Sequence, residues 1–301
     1  MKIGVLIYTY NRTDDARINM EIIRNVWKKT ELLRDVVIIH AFNGQKEWWS
    51  EKYLEDELLY LDNPGHFGGA EILIDGGVKC FQEKYPDLDY LITLASDTWL
   101  VMPGYVEKVI LGMQKEGKYL ATCAWGTKKE PDMFKIGMSL DFNIIDLKWA
   151  TQWNLFPLRY TEFVHKYSEI FSYQDIMIFP ERVFALRFKQ AITKSVEIPS
   201  ENLSKKVAEE HIYRLSEREP VHKRQGYWFQ FKRKDRDMYW PNIGLITHHD
   251  PIPKQKALQS WHLELGKYGK EFLETKDLGY YNSGFTKTTY IKGDKKLNYE
   301  L

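Results

Sequence analysis

The amino-terminal stretch, residues 2–12, reads KIGVLIYTYNR. Its nearly unbroken apolar run is typical of a central parallel strand that is buried on both faces. A helix start follows this strand, with Thr13 or Asp14 as the capping residue. A buried strand that leads directly into a helix predicts the first βα unit of an α/β sheet.

The same alternation of strand and helix continues to about residue 125. It predicts an α/β fold with an open, Rossmann-like, mostly parallel sheet and helices on both faces. Ligands of such sheets bind at the carboxyl ends of the strands. The loops that leave this edge are therefore expected to converge on one site, and they are residues 9–12, 42–45, 63–70 and 96–99.

The second half of the chain is less periodic. Strands are predicted at 134–140, 173–179 and 244–247, and helices at 181–191, 200–216 and 254–273. No low-complexity linker separates the halves. We therefore expect residues 1–125 and residues 126–301 to form two halves of one continuous domain.

Composition excludes several classes of protein. The 43 Lys and Arg balance 42 Asp and Glu, giving a net charge of +1, which argues against a nucleic-acid partner. Two cysteines are too few for a disulfide framework. No apolar run reaches the roughly 18–20 residues of a membrane helix, so a soluble, cytoplasmic protein is expected. The aromatic content of 15% predicts either a large core or a binding surface, and composition leaves both open.

Five short motifs follow one another in a characteristic order. They are TYNR at 9–12, NPG at 63–65, SDT at 96–98, EE at 209–210 and HH at 248–249. This order resembles the nucleotide-sugar glycosyltransferases of the GT-A type, and its layout is closest to the inverting family 2. The resemblance covers residues 1–125 well and residues 170–250 loosely.

The resemblance implies a transferase for polysaccharide or related biosynthesis. A hexosyl or pentosyl group would pass from a nucleotide-diphosphate sugar to a hydroxyl of a glycan or similar acceptor, with inversion at the sugar carbon. A retaining transfer, in which Glu209 and Glu210 would not act as base, stays open. Such enzymes commonly use Mn²⁺ or Mg²⁺, which neutralise the diphosphate leaving group and prefer oxygen ligands. Asp97 is the expected metal ligand, helped by His248 or His249. Ser96 and Thr98 stand where the family carries acids. Two alternatives therefore stay open: a metal held by fewer protein ligands, or no metal at all.

The "ED" pair of the family resembles Glu209-Glu210. An inverting transfer needs a carboxylate that takes the proton of the acceptor hydroxyl. Glu210 is therefore the expected catalytic base, with Glu209 as the second choice. A solvated helix face is the alternative reading, because Lys205, Lys206 and Arg214 surround the pair in sequence.

The loops at the strand ends supply the expected donor-binding residues. Glycine permits close approach of a ligand to the backbone, and a helix amino terminus favours phosphate. Trp99 is either a stacking platform or a core residue. The full set comprises Thr9, Tyr10, Asn11, Arg12, Asn43, Gly65, His66, Gly68, Gly69, Ser96, Asp97 and Trp99.

Two other functions remain open. The missing acids around Asp97 are consistent with a non-catalytic protein that binds a sugar or a nucleotide. A sugar-phosphate nucleotidyltransferase is the second alternative. It requires a basic, glycine-rich loop after the first strand, and the sequence Tyr10-Asn11-Arg12 lacks this signature.

Overall fold

The structure is a computed structural model. The residues that it describes are 1–10, 12–25, 27–100, 103–123, 133–165, 180–197, 208–215, 219–220, 237–240, 245–248, 287–292 and 295–300.

The chain forms two compact units, and each unit combines several stretches of sequence. The first comprises Met1–Asn11, Asp35–Ala95 and Val109–Leu215. The second comprises Arg12–Arg34, Ser96–Lys108 and Ser216–Leu301. The two units are thus interleaved along the chain.

The strands and helices are labelled in chain order. The strands are β1 (Ile3–Thr9), β2 (Val37–Phe42), β3 (Glu57–Tyr60), β4 (Tyr90–Ala95), β5 (Thr98–Leu100), β6 (Leu120–Thr122), β7 (Phe142–Asp146), β8 (Ile212–Arg214), β9 (Glu219–Pro220), β10 (Asp237–Trp240), β11 (Leu245–His248), β12 (Lys287–Lys292) and β13 (Lys295–Glu300). The helices are α1 (Thr13–Asn25), α2 (His66–Lys84), α3 (Pro103–Glu116), α4 (Met133–Ile136), α5 (Leu147–Gln152) and α6 (Pro180–Ser195).

The first unit is built on a seven-stranded sheet in the order β3-β2-β1-β4-β7-β6-β8. Strands β3, β2, β1 and β4 are parallel to one another. Strand β7 is antiparallel to β4 and to β6, and β8 is parallel to β6. Six of the seven strands therefore point the same way. The predicted α/β class with a mostly parallel sheet is confirmed.

The core explains why β1 is so apolar. Val5, Leu6 and Ile7 have no exposed surface, because β1 lies between two strands and α2 packs against it. Much of the aromatic content is also internal. The largest fully buried side chains include Trp27, Trp49, Phe42, Phe81, Phe142, Phe184 and Phe188. These rings account for core volume rather than for a binding surface.

The second unit contains a four-stranded antiparallel sheet in the order β5-β11-β10-β9 and a separate pair of strands, β12 and β13. Helix α1 contacts β5. The indole Nε1 of Trp27, just beyond α1, donates a hydrogen bond to the carbonyl oxygen of Leu100 at 3.0 Å.

Two predictions for the second half of the chain are wrong. The strand expected at 134–140 is absent; α4 lies at Met133–Ile136, and the strand there is β7 at Phe142–Asp146. The helix expected to reach residue 216 ends earlier, since Ile212–Arg214 is β8. Both errors concern strands, β7 and β8, that pair with segments distant from them in sequence. The expectations for 173–179 and 254–273 lie outside the described residues.

Within the described part of the chain, we find no helix with the length and apolar character needed to cross a membrane.

Two acids on α2 fasten the segment at residues 158–161. Asp75 accepts hydrogen bonds from the backbone N–H groups of Leu158 at 2.7 Å and Arg159 at 3.2 Å. Glu71 Oε2 accepts from the backbone N–H and the hydroxyl of Thr161. Burial raises the pKa of Asp75 to about 6, although the two backbone donors act against this shift.

This shift makes stability depend on pH. The ordinary pKa of the carboxyl is 3.8. Between about pH 4 and pH 6 the Asp75 carboxyl has lost its proton in the unfolded chain but keeps it in the folded protein. The free energy of unfolding therefore falls as pH rises through this window. Urea denaturation of Asp75→Asn should show a flatter pH profile over that range. The exposed control Asp62→Asn should retain the wild-type slope, and an unchanged slope in Asp75→Asn would contradict the assignment.

Candidate functional site

The carboxyl ends of β1 and β2 form the centre of the candidate site in the first unit. The backbone N–H of Asn43, directly after β2, donates to the carbonyl oxygen of Thr9 at 3.2 Å. The chain adds β2 and β3 on one side of β1, whereas β4 lies on the other side. The reversal lies between β1 and β4, and Thr9 at the end of β1 borders this topological switch point, where open α/β sheets bind ligands.

Asn43 and Thr9 carry oxygens that lack partners. Asn43 is 6% exposed, and its Nδ2 donates to the carbonyl oxygens of Gly69 at 3.0 Å and Asp62 at 3.4 Å. These two acceptors fix the orientation of the amide. Asn43 Oδ1 and Thr9 Oγ1 are buried and have no hydrogen-bond partner among the residues described. Because buried polar atoms are rarely left unpaired, this pair marks a place for a ligand with N–H or O–H groups.

The loop before α2 is shaped by glycine. Gly65 precedes the helix with φ +123°, a conformation that other residues rarely adopt, and its N–H donates to Asn63 Oδ1 at 3.1 Å. A Cβ at Gly69 would lie 2.6 Å from Asn63 Oδ1 and 3.1 Å from Asn43 Nδ2. The amino end of this 19-residue helix offers N–H groups and a partial positive charge. Gly68 lies in its first turn, whereas the side chain of His66 lies outside the described residues.

Aromatic rings stand beside these strand ends. Tyr10 is 42% exposed, and its ring lies 6.1 Å from that of Trp48 in an edge-to-face arrangement. The Nζ of Lys46 lies 5.5 Å from the centre of the Tyr60 ring. An exposed tyrosine next to a partly buried tryptophan provides a surface on which a planar base can stack. Asn11 lies outside the described residues.

The second unit contains a buried polar cluster. Arg12 Nη1 lies 2.5 Å from Asp97 Oδ2 and 3.7 Å from Asp15 Oδ2. All three side chains are at most 9% exposed. Asn19 Nδ2 donates to the carbonyl oxygen of Thr98 at 2.8 Å, and Ser96 is buried beside Asp97. Arg12 therefore supplies a counter-charge for the aspartate expected to bind metal.

Strand register places two further ligand-type residues in line with Asp97. In the antiparallel pair of β5 and β11, Thr98 lies opposite Thr247, so His248 follows on the side of Asp97. In the next pair, His248 lies opposite Asp237 of β10. Asp97, His248 and Asp237 thus occupy corresponding positions on three neighbouring chain segments. The side chains of His248, Asp237 and Trp99 lie outside the described residues, and so does His249.

The chemistry of this row suits a divalent cation. Two carboxylates and an imidazole are common ligands of Mn²⁺, and aspartate oxygen also suits Mg²⁺. Among the side chains that the structure describes, no group of three or more His, Cys, Asp or Glu is placed to hold a metal. The fit therefore rests on the register of β5, β11 and β10.

The structure does not bring Glu209 and Glu210 to the carboxyl ends of β1 and β2. Both precede the amino end of β8, which runs in the same direction as β1, so they lie at the opposite edge of the sheet. Glu210 is exposed, and its carbonyl oxygen accepts from Lys118 Nζ. This position does not support the assignment of Glu210 as the catalytic base.

Asp141 is an acid that the motif search missed. It lies directly before β7 at the carboxyl edge, where its carbonyl oxygen accepts from the backbone N–H of Ala95 at 3.0 Å. Its side chain is partly exposed, with Oδ2 3.5 Å from the hydroxyl of Ser139. The sequence did not indicate this acid for two reasons. The strand was predicted at 134–140 instead of at β7, and no familiar motif includes Asp141. Asp237 was missed because only strand register relates it to His248.

Comparisons with known proteins give likenesses of structure alone. No family model matches the chain, and no curated protein matches it. Among solved structures, the galactosyltransferase LgtC is 11% identical with a TM-score of 0.38, covering 61% of this chain and 69% of its own. TarS of S. aureus is 11% identical with a TM-score of 0.39, covering 70% of each chain. The mannosyltransferase PcManGT of Pyrobaculum calidifontis, solved with GDP-Man and Mn²⁺, is 7% identical with a TM-score of 0.35, covering 50% of this chain and 46% of its own.

Two of these three, a galactosyltransferase and a mannosyltransferase by name, belong to the class of enzyme that the motif order resembles. The identities of 7–11% and the TM-scores below 0.5 carry no argument about the activity of this chain. Its function is therefore inferred from its own residues.

The Arg12–Asp97 contact has a testable energetic consequence. Removal of one partner from a buried ion pair costs about 3–5 kcal/mol, because the remaining charge stays desolvated. Urea denaturation should therefore show a loss of this size for Arg12→Met. Arg17→Met, which changes an exposed arginine of the same helix, should cost less than about 0.5 kcal/mol. The double variant Arg12→Met/Asp97→Leu should recover part of the loss. Equal stability of Arg12→Met and the control Arg17→Met would contradict the pairing.

Proposed function

We propose that this chain is a glycosyltransferase that uses a nucleotide-diphosphate sugar. The observation that carries the proposal is the pair of buried oxygens without partners, Thr9 Oγ1 and Asn43 Oδ1, beside the switch point of the sheet. A nucleotide bound there would supply the missing donors. The order of the motifs, from TYNR to the late histidine pair, supports transfer of the attached sugar.

The geometry at Asn43 favours particular bases. Its Nδ2 is engaged by two carbonyl oxygens, so that only Oδ1 is free to meet a ligand. An acceptor at this position prefers an N–H group, which uracil and thymine carry at N3 and guanine carries at N1. Cytosine and adenine present an acceptor at the corresponding ring nitrogen. Tyr10 and Trp48 would stack on the base.

Each unit offers groups that suit a diphosphate. In the first unit, the Gly65–Gly69 loop and the amino end of α2 would offer backbone N–H groups. In the second unit, Asp97 with His248 and Asp237 would hold a divalent cation, Mn²⁺ or Mg²⁺. Such a cation would supply positive charge that neutralises a leaving diphosphate.

The transfer itself is a displacement at the sugar carbon C1. The acceptor oxygen forms a bond to C1 while the bond from C1 to the diphosphate oxygen breaks, and the nucleoside diphosphate leaves with the electron pair. The proton of the acceptor hydroxyl passes to a carboxylate. We assign this role to Asp141, because it is partly exposed at the carboxyl edge and lies next to the end of β4.

One observation favours a second function. Asp97 is buried against Arg12, and an aspartate already paired with a guanidinium is a weaker metal ligand. A protein that binds a nucleotide sugar without transferring the sugar is consistent with this contact. The nucleotidyltransferase alternative has no such support.

The preference for a base is tested by calorimetric titration with UDP and CDP. Wild-type protein should bind UDP about tenfold more tightly than CDP, because one hydrogen bond to a buried acceptor distinguishes them. Asn43→Ala should bind UDP about tenfold more weakly and lose the discrimination. Asn25→Ala, at the exposed end of α1, serves as the control. Equal affinities for the two nucleotides in wild-type protein would overturn the role of Asn43.

The transfer is tested by nucleotide release from UDP-, dTDP- and GDP-sugars with neutral oligosaccharide acceptors and Mn²⁺. Asp141→Asn should lower kcat by about 10²–10⁴, as expected for loss of a proton acceptor. The matched variant Glu210→Gln should retain turnover, because its carboxylate is exposed at the opposite edge. The reverse result would restore Glu210 as the base.

Two further measurements use the same samples. Chelation by EDTA should abolish release, and the paramagnetic resonance signal of Mn²⁺ should show weaker binding in Asp237→Asn than in the exposed control Asp87→Asn. Tight binding of nucleotides without release from any donor would favour the binding-only function.

A further inference from the structure

A separate crater lies at the other edge of the sheet of the first unit. It has a volume of about 840 Å³, within the range of ligand sites of about 300–1,000 Å³. The start of β4, the end of β7 and the residue before β6 form its floor, and the ends of α3, α5 and α6 surround it. Its lining includes Tyr90, Gln114, Tyr119, Asp146, Trp149 and Trp153.

The aromatic part of this crater contains a stack of rings. The rings of Tyr119 and Trp149 are stacked with centres 4.6 Å apart and planes 5° apart. Tyr119 also stacks on His211, with centres 5.5 Å apart. Trp149 is 6% exposed, whereas Trp153, one turn later, is half-buried. Trp153 therefore presents part of an indole ring to the crater next to an ordered stack.

One polar atom of the lining has no partner. The indole Nε1 of Trp149 is buried and makes no hydrogen bond with any residue described by the structure. Indole N–H groups are donors only, and buried ones are normally paired. The backbone N–H of the same residue is satisfied, since it donates to Asp146 Oδ1 at 2.9 Å. A ligand that carries an acceptor oxygen would satisfy this free N–H donor.

The charges of the lining indicate a neutral ligand. The cation Lys148 lies at the rim, with Nζ 2.5 Å from Asp89 Oδ1. The second carboxyl group, Asp146, has a pKa raised chiefly by burial. The α-amino group of Met1 also lies in the lining, so its two cations balance its two acids and the lining carries no net formal charge. The remaining polar groups are hydroxyl and amide groups from Tyr90, Gln114, Gln152 and Ser195.

We propose that this crater is a second binding site that takes a neutral oligosaccharide. Pyranose rings combine apolar C–H faces, which pack on indole, with hydroxyl groups that both accept and donate. An acceptor oxygen would satisfy Trp149 Nε1, and the amides of Gln114 and Gln152 would bind further hydroxyls. The proposal does not rest on catalysis, because the crater lies at the edge opposite Thr9 and Asn43.

The test is saturation-transfer NMR and calorimetry with cellotriose, maltotriose and lactose as probes. At least one probe should bind wild-type protein with a Kd of about 1 mM. Trp153→Ala and Gln114→Ala should weaken this binding about tenfold, by loss of a stacking surface and of a hydrogen bond respectively. Trp149→Phe keeps an aromatic ring but removes the N–H group, and should weaken binding similarly. The matched control Gln45→Ala changes an exposed glutamine at the opposite edge and should have no effect.

Three results would overturn the proposal. They are no binding of any probe at about 20 mM, unchanged affinity in both Trp153→Ala and Gln114→Ala, and displacement of the probe by UDP. Titration of UDP into Trp153→Ala separates this site from the proposed donor site. Nucleotide affinity should remain at the wild-type value in that variant, and failure of either proposal leaves the other standing.

Discussion

The arrangement of the first unit depends on the burial of β1 on both faces. With parallel strands on either side of it and α2 packed against it, β1 has no room for polar side chains along its length, and Val5, Leu6 and Ile7 are fully buried. Polar chemistry is therefore confined to the strand ends. At the carboxyl edge this constraint places Thr9 next to Asn43 and the glycine loop. At the amino edge the same sheet supports a crater of different character.

The contrast between satisfied and unsatisfied polar groups separates structural residues from candidate binding residues. Burial alone would raise the pKa of Glu55, but the neighbouring His40, whose Nδ1 lies 3.9 Å from Oε1, and hydrogen bonds from the backbone and from Trp49 hold it at about 2. Glu71 and Arg12 are similarly engaged. Thr9 Oγ1, Asn43 Oδ1 and Trp149 Nε1 lack partners among the described residues, as do a few other buried atoms such as Asn143 Oδ1. Because each unpaired buried atom costs free energy, those that also lie at a strand end or in a cavity are candidates for contact with a ligand.

The sequence predicted those elements that local pattern determines. Strands β1, β2 and β4 were recognisable from continuous apolar runs, and α2 and α6 from length and periodicity. Strands β5, β7 and β8 were missed because each is short and acquires its identity from a partner distant in sequence. The candidate site divides in the same way. Thr9, Asn43 and Asp97 follow predictable strands, whereas Asp141 and Asp237 depend on antiparallel pairing that no local pattern encodes.

The near-neutral composition has a local counterpart in the second unit. Asp15, Asp97 and Asp237, with the guanidinium of Arg12, give the row near β5 two net negative charges when His248 is neutral. A basic cleft would bind a diphosphate unaided, but a row of this charge would repel it. A divalent cation brings the row to neutrality and removes this repulsion. Arg12 thereby has a use beyond pairing with Asp97, because without it the occupied row would keep one net negative charge and would still repel a diphosphate.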